Sequence, residues 1–370
     1  MKTAWHLTAA IGLGAASVIV KLSAATLYVA VDSANPTPPY TNWGTAARVI
    51  QEAVGATEPG DTVLVADGVY QTGGTGDGRV ALTNAVLLLS VNGPGVTVID
   101  GGKSVRCACL GTNAVISGFT LTNGAYEGVW CEASAVVTNC VIAGNLGRGA
   151  IGGTLYNCTL TGNSAGGALE SKLHNCTVAG NLAQAGGGAC DCTLYDCIVY
   201  FNDGGNCAPD CAFSYCCTTP LPPGAGNIDA DPLFVNAAAG DFRLRAGSPC
   251  IDTGTNLLAV AGYAGGATDI LGNARGVDGN GDGKGGWDIG AYEFGSFKPR
   301  RFAPLLLLST NGFAFSLWGE PGKSVQVERS LDLRTWALWL TLTASSNAVP
   351  LVDPDASARP RQFYRAVVRQ

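Results

Sequence analysis

A seven-residue line that recurs between Asn139 and Asn202 constrains the fold of this chain more than any other feature. Three copies read Asn-Cys-Val-Ile-Ala-Gly-Asn, Asn-Cys-Thr-Leu-Thr-Gly-Asn and Asn-Cys-Thr-Val-Ala-Gly-Asn, and a fourth, looser copy reads Asp-Cys-Ile-Val-Tyr-Phe-Asn. Their cysteines stand at positions 140, 158, 176 and 197, which gives steps of 18, 18 and 21 residues. A period of this length is typical of a solenoid in which similar coils stack on one another.

Stacking places equivalent residues of successive coils above one another, because neighbouring strands lie about 4.8 Å apart. The repeat therefore predicts two apolar columns and, at a bend, a polar column whose amides hydrogen-bond from coil to coil. Their members are Cys140, Cys158, Cys176 and Cys197; Ile142, Leu160, Val178 and Val199; and Asn139, Asn157, Asn175 and Asp196. A left-handed hexapeptide β-helix is disfavoured because the step drifts to 21 and no strict six-residue apolar repeat occurs.

These columns resemble the right-handed parallel β-helix of the pectate-lyase-like superfamily, whose hallmark is internal stacks with an asparagine ladder at a bend. The start of the chain, from Tyr28 to Tyr70, and residues 227–294, which close on Trp-Asp-Ile-Gly-Ala-Tyr-Glu, resemble exported bacterial β-helix proteins of the choice-of-anchor Q type. The resemblance spans roughly Thr26 to Phe294. It implies an all-β solenoid.

The order of segments predicts an exported protein of two folded parts. Residues 1–25 read as a secretory signal, with Lys2, an apolar run and a small-residue cleavage site, although a retained membrane anchor is the alternative. Residues 26–297 form the β-helix, with 227–294 as its choice-of-anchor Q-like end. Residues 298–301 read as a linker, and 302–370 as a small β module that resembles the β-sandwich tails of secreted bacterial proteins.

A short helix is predicted near the N-terminal end of the β-helix. Thr45 is placed to cap it, and residues 46–54 carry apolar side chains on one face. Such a helix would cover the open end of the solenoid and protect its strand edges.

Composition and charge exclude several classes of partner. The net charge is -6, only 14% of residues are charged, and nothing basic is clustered, so nucleic acid is not expected as a partner. No apolar segment after the signal is long enough to span a membrane. The 14 cysteines include no CxxC pairs at zinc-finger spacing, so we read the stacked ones as small core residues. Cys207 and Cys211, which lie in an irregular loop, are the best candidates for a disulfide.

A glycine- and aspartate-rich stretch predicts a site for Ca²⁺, the cofactor that this sequence suggests. Residues 278–283 read Asp-Gly-Asn-Gly-Asp-Gly, with oxygen ligands at alternate positions. The predicted ligands are Asp278, Asn280, Asp282 and Asp288. The spacing departs from an EF-hand, because Asp288 falls at position 11 of the loop and Ile289 at position 12. The alternative is a turn that binds nothing.

Two outward-facing columns are candidate sites for an extracellular polysaccharide. The residues that precede the bend asparagines give a row of rings, Tyr156, His174 and Tyr195, suited to contact sugars, with a merely shielding role as the alternative. Six residues before the repeat cysteines stand Glu170 and Asp191, joined by Asp210 if Cys216 continues the column. These carboxylates, with Lys172 as a base, are candidate catalytic residues; a solvated acidic edge is the alternative.

The sequence thus predicts a secreted or cell-surface bacterial protein that acts as a non-catalytic scaffold and interacts with carbohydrate. The alternative is a calcium-dependent polysaccharide lyase or another carbohydrate-active enzyme of the superfamily. Lyases of this fold use carboxylate-bound calcium with an Arg or Lys base, so the resemblance supports this alternative by fold analogy alone. The triple-aspartate and Gly-His-Gly signatures of pectin hydrolases are missing from the sequence.

Overall fold

The computed structural model describes residues 24–76, 78–255 and 268–296 and, beyond residue 301, six strands with short segments beside them. Residues 1–23 of the predicted signal and the predicted linker at 298–301 lie outside the described residues. The predicted boundaries of the domains therefore stay predictions.

The first part of the chain is the predicted right-handed parallel β-helix. Its first strands are β1 (Thr26–Val29), β2 (Thr62–Val65), β3 (Gly68–Tyr70), β4 (Gly78–Leu82), β5 (Leu87–Ser90), β6 (Thr97–Asp100), β7 (Arg106–Leu110), β8 (Val115–Ser117), β9 (Thr120–Thr122), β10 (Val129–Cys131), β11 (Val136–Thr138) and β12 (Val141–Ala143). The later strands are β13 (Ala150–Ile151), β14 (Thr154–Tyr156), β15 (Thr159–Thr161), β16 (Ala168–Leu169), β17 (Lys172–His174), β18 (Thr177–Ala179), β19 (Ala189–Cys190), β20 (Thr193–Tyr195), β21 (Ile198–Tyr200), β22 (Ala212–Ser214) and β23 (Cys217–Thr218).

These strands form three parallel sheets that run along the solenoid. Sheet A has the order β1-β2-β5-β8-β11-β14-β17-β20-β22, sheet B the order β3-β6-β9-β12-β15-β18-β21-β23, and sheet C the order β4-β7-β10-β13-β16-β19. Each of the central coils contributes one strand to each sheet, and a stretch of about 18 residues closes one turn there. The predicted apolar column is in register, with Ile142 opposite Leu160 and Leu160 opposite Val178.

The cysteine column is a ladder of hydrogen-bonded thiols inside the solenoid. The Cys158 backbone N–H donates to Cys176 Sγ at 3.4 Å, and the Cys176 N–H donates to Cys197 Sγ at 3.4 Å. Each thiol in turn donates to the carbonyl two residues before it, as Cys158 does to the Tyr156 oxygen at 3.2 Å. Phe119 begins the column, because its N–H donates to Cys140 Sγ.

The predicted asparagine ladder stands at the other asparagine of the repeat. The column that includes Asn157 and Asn175 occupies a left-handed bend, and only one coil-to-coil amide bond joins its described members, from Asn157 to Asn139 at 3.4 Å. The continuous ladder consists of the asparagines that follow the glycine turns: Asn145, Asn163, Asn181, Asn202 and Asn206. Each of these amides bonds the next at 2.8–3.3 Å, inside the solenoid.

Glycines on the facing turn make room for this ladder. A Cβ at Gly149 would lie 2.8 Å from Asn163 Nδ2, and one at Gly128 would lie 2.7 Å from Asn145 Nδ2. Real Cβ atoms do not approach a heavy atom so closely, so a side chain here would displace the ladder amides. The glycines at these positions are therefore part of the ladder's construction.

The N-terminal cap is smaller than predicted. The helix α1 covers only Ile50–Val54, and Asn42, not Thr45, accepts a capping bond, at a separate 3₁₀ turn over Trp43–Thr45. Residues 46–49 do not join the helix because Ala47 bridges the edge of β1, donating its N–H to the Tyr28 oxygen. The strand edge is thus protected by backbone pairing as well as by α1, which packs on β1, β2 and β4.

A C-terminal segment, residues 228–255 and 268–296, covers the outward face of sheet B. It contains β24 (Phe234–Asn236), a 3₁₀ turn over Ala237–Ala239, and β25 (Asp241–Leu244). The outward side chains of Thr177 and Ile198 are buried beneath it, and the Ala291 N–H donates to Thr177 Oγ1 at 3.0 Å. A Cβ at Gly290 would lie 2.8 Å from Ile198, so this contact requires glycine.

A buried polar network holds the C-terminal segment to the bend column. Arg275 pairs with Glu293 at 3.3 Å, with both side chains fully buried, and donates to Asn157 Oδ1 at 3.1 Å. Asp196 accepts from the Thr255 N–H and hydroxyl, each at 2.8 Å. Burial raises the pKa of Asp288 to about 7 and that of Asp196 to about 6.

These raised pKa values predict that docking of the segment weakens as the pH rises. The folded form holds the Asp196 proton up to about pH 6, whereas the unfolded form releases it near 4. This group's contribution is therefore complete below pH 4 and lost by about pH 7. Asp196→Asn keeps the Thr255 bonds and cannot titrate. We expect urea unfolding to show a smaller decline between pH 5 and 8 for the variant, by about 1–3 kcal/mol; parallel declines would contradict the assignment.

The second part of the chain has two antiparallel sheets of three strands. Its strands are β26 (Phe302–Ser309), β27 (Gly312–Trp318), β28 (Ser324–Ser330), β29 (Ala337–Thr343), β30 (Ala348–Asp353) and β31 (Phe363–Val367). The sheets have the orders β26-β27-β30 and β29-β28-β31. The small β module is therefore present as predicted. No helix among the described residues is long and apolar enough to cross a membrane.

Candidate functional site

Three rings form a continuous stack on the outward face of sheet A. Tyr156, His174 and Tyr195 occupy in-register positions at the ends of β14, β17 and β20. The ring centroids lie 4.8 Å apart between Tyr156 and His174 and 5.1 Å apart between His174 and Tyr195, with interplanar angles of 17° and 9°. We call this row the aromatic stack. It places the three predicted residues side by side.

The spacing of the rings decides which surface a ligand meets. At these distances and angles the three rings are stacked nearly parallel, so neighbouring rings cover part of one another's faces. The outer edges of the rings remain accessible, and Tyr195 is the most exposed ring, at 36%. Small hydroxyl residues continue the column on both sides, Thr138 beyond Tyr156 and Ser214 beyond Tyr195.

The central ring is uncharged at neutral pH. Burial lowers the pKa of His174, and the charge of Lys172 on the same strand lowers it further. His174 Nδ1 is buried and accepts or donates no hydrogen bond among the described residues. The aromatic stack therefore presents a neutral, amphipathic strip that can accept apolar sugar faces and bond sugar hydroxyls.

The predicted carboxylates lie on successive coils at the bend from sheet C to sheet A. Glu170 and Asp191 both adopt left-handed backbone conformations, and the Asp191 N–H donates to Asp210 Oδ1 at 3.3 Å. The hydrogen bond and charge of Asp210 raise the pKa of Asp191, while the hydrogen bonds from Asp191 lower that of Asp210. Cys190 offers a thiol beside them, and one ligand atom each of Cys190, Asp191 and Asp210 lies within 4.8 Å of the others.

Lys172, the predicted base, begins β17 and is exposed on the outward face of sheet A. Its charge acts on His174, in the same strand. Glu170 acts on Asp191 by charge, one coil away. The acidic residues are thus grouped with one another, and the lysine belongs to the strand that carries the central ring.

The predicted calcium loop is organised by a residue that the sequence did not single out. Asp252 accepts the N–H groups of Gly279, Asn280 and Gly286, at 2.9–3.0 Å. Asp278 accepts the N–H groups of Gly281 and Gly283 through its two oxygens, at 2.7 and 2.8 Å, and is exposed.

Two other predicted ligands of this loop, Asn280 and Asp282, are exposed as well. Asp288 differs, because it is buried and each of its oxygens accepts a backbone N–H, from Asp252 and from Phe294. The structure therefore groups the three exposed residues in one loop and directs the fourth into the protein interior.

A shallow cavity lies at the N-terminal coils, outside all of these positions. Its volume is about 320 Å³, and its lining consists of Asp32, Trp43, Ala66, Asp67, Val91 and Asn92. It contains none of the residues that the sequence predicts for a site.

Comparison with known proteins gives no family. No family model matches the chain, and no curated protein matches it. The crystal structure of pectate lyase Pel9A is similar at 14% identity, with a TM-score of 0.45 over 74% of this chain and 98% of that one. A rhamnogalacturonan lyase is similar at 12% identity, with a TM-score of 0.36 over 54% of this chain and 65% of that one.

Proposed function

We propose that this chain is a secreted or cell-surface β-helix scaffold that binds polysaccharide along the outward face of sheet A. The observation that carries the proposal is the aromatic stack, in which three rings from three coils form one strip. A neutral row of rings suits uncharged sugar surfaces, because aromatic rings combine apolar contact with hydrogen bonding. The rigid solenoid holds the strip without reorganisation, which lowers the entropic cost of binding an extended chain.

The surrounding features support export but not a specific attachment. The choice-of-anchor Q resemblance, the predicted signal at 1–25 and the C-terminal β module form a consistent arrangement for a bacterial surface protein. Within the proposal, Ca²⁺ at Asp278, Asn280 and Asp282 would pin the exposed loop of the C-terminal segment rather than take part in binding, because all three residues belong to that loop.

Removal of the two outer rings of the stack tests the binding proposal. We expect Tyr156→Ala with Tyr195→Ala to reduce retention on the polysaccharide bound by the native protein by about 5- to 150-fold, since each ring contact is worth about 0.5–1.5 kcal/mol. The measurement is pull-down on insoluble acidic and neutral polysaccharides, with circular dichroism as the check on folding.

Tyr126→Ala is the matched control, because Tyr126 is 54% exposed and does not belong to the stack. Its retention should equal that of the native protein. Undiminished retention of the double variant would exclude the aromatic stack as the binding surface, and failure of the native protein to bind any polysaccharide would exclude a carbohydrate-binding role.

A polysaccharide lyase is the second candidate function, supported by the paired carboxylates of Asp191 and Asp210 with Glu170 one coil away. Such a group suits a hard cation that would acidify a uronate, and a lyase would need a base such as Lys172. The same polysaccharide panel separates the functions. Calcium-dependent growth of unsaturated-product absorbance, abolished by chelator, would establish the lyase, whereas binding without product would favour the scaffold.

A further inference from the structure

Two buried thiols meet where the C-terminal segment covers sheet B. Cys217 lies in β23, on the last coil, and Cys250 lies in the segment; both are fully buried in one apolar cluster with Ile198 and Ile289. The pKa of Cys250 is raised chiefly by the neighbouring Cys217 thiol, so the two side chains are neighbours; both are free thiols in this structure, as are Cys207 and Cys211 of the predicted disulfide. We propose that Cys217 and Cys250 form a disulfide that fastens the C-terminal segment to the β-helix.

The environment of this pair differs from that of the cysteine ladder. A ladder thiol such as Cys158 donates to one carbonyl and accepts a backbone N–H, so oxidation would cost it hydrogen bonds on both sides. Ladder neighbours also stand in register on parallel strands, where their parallel Cα–Cβ vectors do not suit the disulfide geometry. The ladder is therefore built to remain reduced.

Cys217 and Cys250 come from opposite sides of an interface. Cys217 is in register with Ile198, so its side chain leaves the outward face of sheet B, where the segment that carries Cys250 covers it. A cross-link requires side chains that approach from two sides in this way. Cys217 donates to the Ala230 oxygen at 3.2 Å, and oxidation would remove this bond. The backbone at Cys250 is held in place by the Ile289 N–H, which donates to the Cys250 oxygen.

The reaction is ordinary thiol–disulfide exchange with oxidised glutathione or a disulfide of the same class. One protein thiolate attacks the glutathione disulfide, releases one glutathione thiolate and forms a mixed disulfide. The second protein thiolate then attacks the protein sulfur and releases the second glutathione. Two protein thiols are oxidised and one glutathione disulfide is reduced to two thiols, which take up the two protons that the protein thiols lose.

The bond should form while the segment is still undocked. The hydrogen bond to Cys217 and burial both raise the pKa of Cys250, which suppresses the thiolate that exchange requires in the folded protein. Oxidation is therefore expected during folding. In the native state it should wait for local opening of the segment.

The test maps cross-links in the full chain refolded from urea in a buffer of reduced and oxidised glutathione. Free thiols are alkylated in denaturant without reduction, and peptides are identified by mass spectrometry. We expect one cross-linked species joining the peptides of Cys217 and Cys250, with Cys140, Cys158, Cys176 and Cys197 alkylated. Native protein incubated with oxidised glutathione should give the same species more slowly than the refolding protein does.

Two single variants separate Cys217 from its neighbour Cys216. Cys217→Ser retains a donor for the Ala230 oxygen and should leave Cys250 alkylated, and Cys250→Ser should leave Cys217 alkylated. The proposal is overturned if both thiols are alkylated in the refolded and the native samples. It is also overturned if Cys250 remains cross-linked in Cys217→Ser, which would identify another partner.

Discussion

Replacement of Asn163 by alanine is expected to lower the unfolding free energy by about 2–6 kcal/mol, because its amide bonds four buried groups. Asn163 Oδ1 accepts the backbone N–H and the amide of Asn145, at 3.2 and 2.8 Å. Its Nδ2 donates to Asn181 Oδ1 at 2.8 Å and to the Ile142 oxygen at 3.0 Å. In the alanine variant Asn145 Nδ2 retains the Leu121 oxygen, and Asn181 Oδ1 retains the N–H of residue 163. The Asn145 N–H and the Ile142 oxygen lose this partner in the interior, and each unsatisfied group costs about 1–3 kcal/mol. Urea unfolding followed by circular dichroism measures the loss.

Asn175→Ala is the matched control within the same repeat. Asn175 is as deeply buried, yet its Nδ2 has no hydrogen-bond partner among the described residues. Its left-handed backbone, with φ of 48°, adds a penalty of about 1 kcal/mol for alanine, a penalty that Asn163 lacks. We still expect the smaller loss at Asn175. Equal losses, or a larger loss at Asn175, would show that the ladder amides do not stabilise the solenoid as the geometry indicates.

The two asparagine columns explain what the repeat could and could not predict. Cys158 and Cys176 were predicted to lie one rung apart, and they do, because a period of 18 fixes the register of every residue in the coil. The period is the same for both asparagines of the repeat, so it cannot tell which one points inward. That choice depends on backbone conformation: the residue at Asn157 turns left-handed and meets the C-terminal segment, while Asn163 follows a left-handed glycine and points into the core.

The contacts of the C-terminal segment were beyond reach of any local pattern. Arg275 bonds Asn157 across 118 residues of sequence, and Asp196 bonds Thr255 across 59. Neither pair belongs to a repeat or a spacing motif, so only the fold brings them together. One indirect signal was the closing Trp-Asp-Ile-Gly-Ala-Tyr-Glu motif, because its last residue, Glu293, is the partner of Arg275 in the buried ion pair.

For the candidate site, the sequence predicted the positions of the rings but not the surface that they expose. The repeat placed Tyr156, His174 and Tyr195 in one column, because alternation along a strand determines which side chains point outward. The repeat could not predict that the rings cover one another's faces, because this depends on the orientation of each side chain. The overlap leaves the ring edges and the Tyr195 ring exposed, so the surface offered to a sugar is narrower than three separate ring faces would be.

Replacement of Arg275 by methionine is expected to detach the C-terminal segment, at a cost of about 3–5 kcal/mol, because it leaves a buried carboxylate without its counter-charge. Arg275 donates to the Gly290 oxygen at 2.8 Å and to the Asp288 oxygen at 3.3 Å, besides its contact with Glu293. Amide hydrogen exchange should become faster at residues 268–296. The outward face of sheet B, which the segment covers, should become accessible to protease.

The ion pair on the surface provides the comparison. Arg243 pairs with Asp241, but its side chain is 59% exposed, so Arg243→Met should cost less than about 1 kcal/mol and leave exchange in the segment unchanged. Adding Glu293→Gln to Arg275→Met removes the stranded charge and should recover part of the stability, since the penalty arises from the unpaired carboxylate. If the double variant is no more stable than Arg275→Met, the bonds of Arg275 to backbone carbonyls hold the segment. The ion pair would then be incidental to docking.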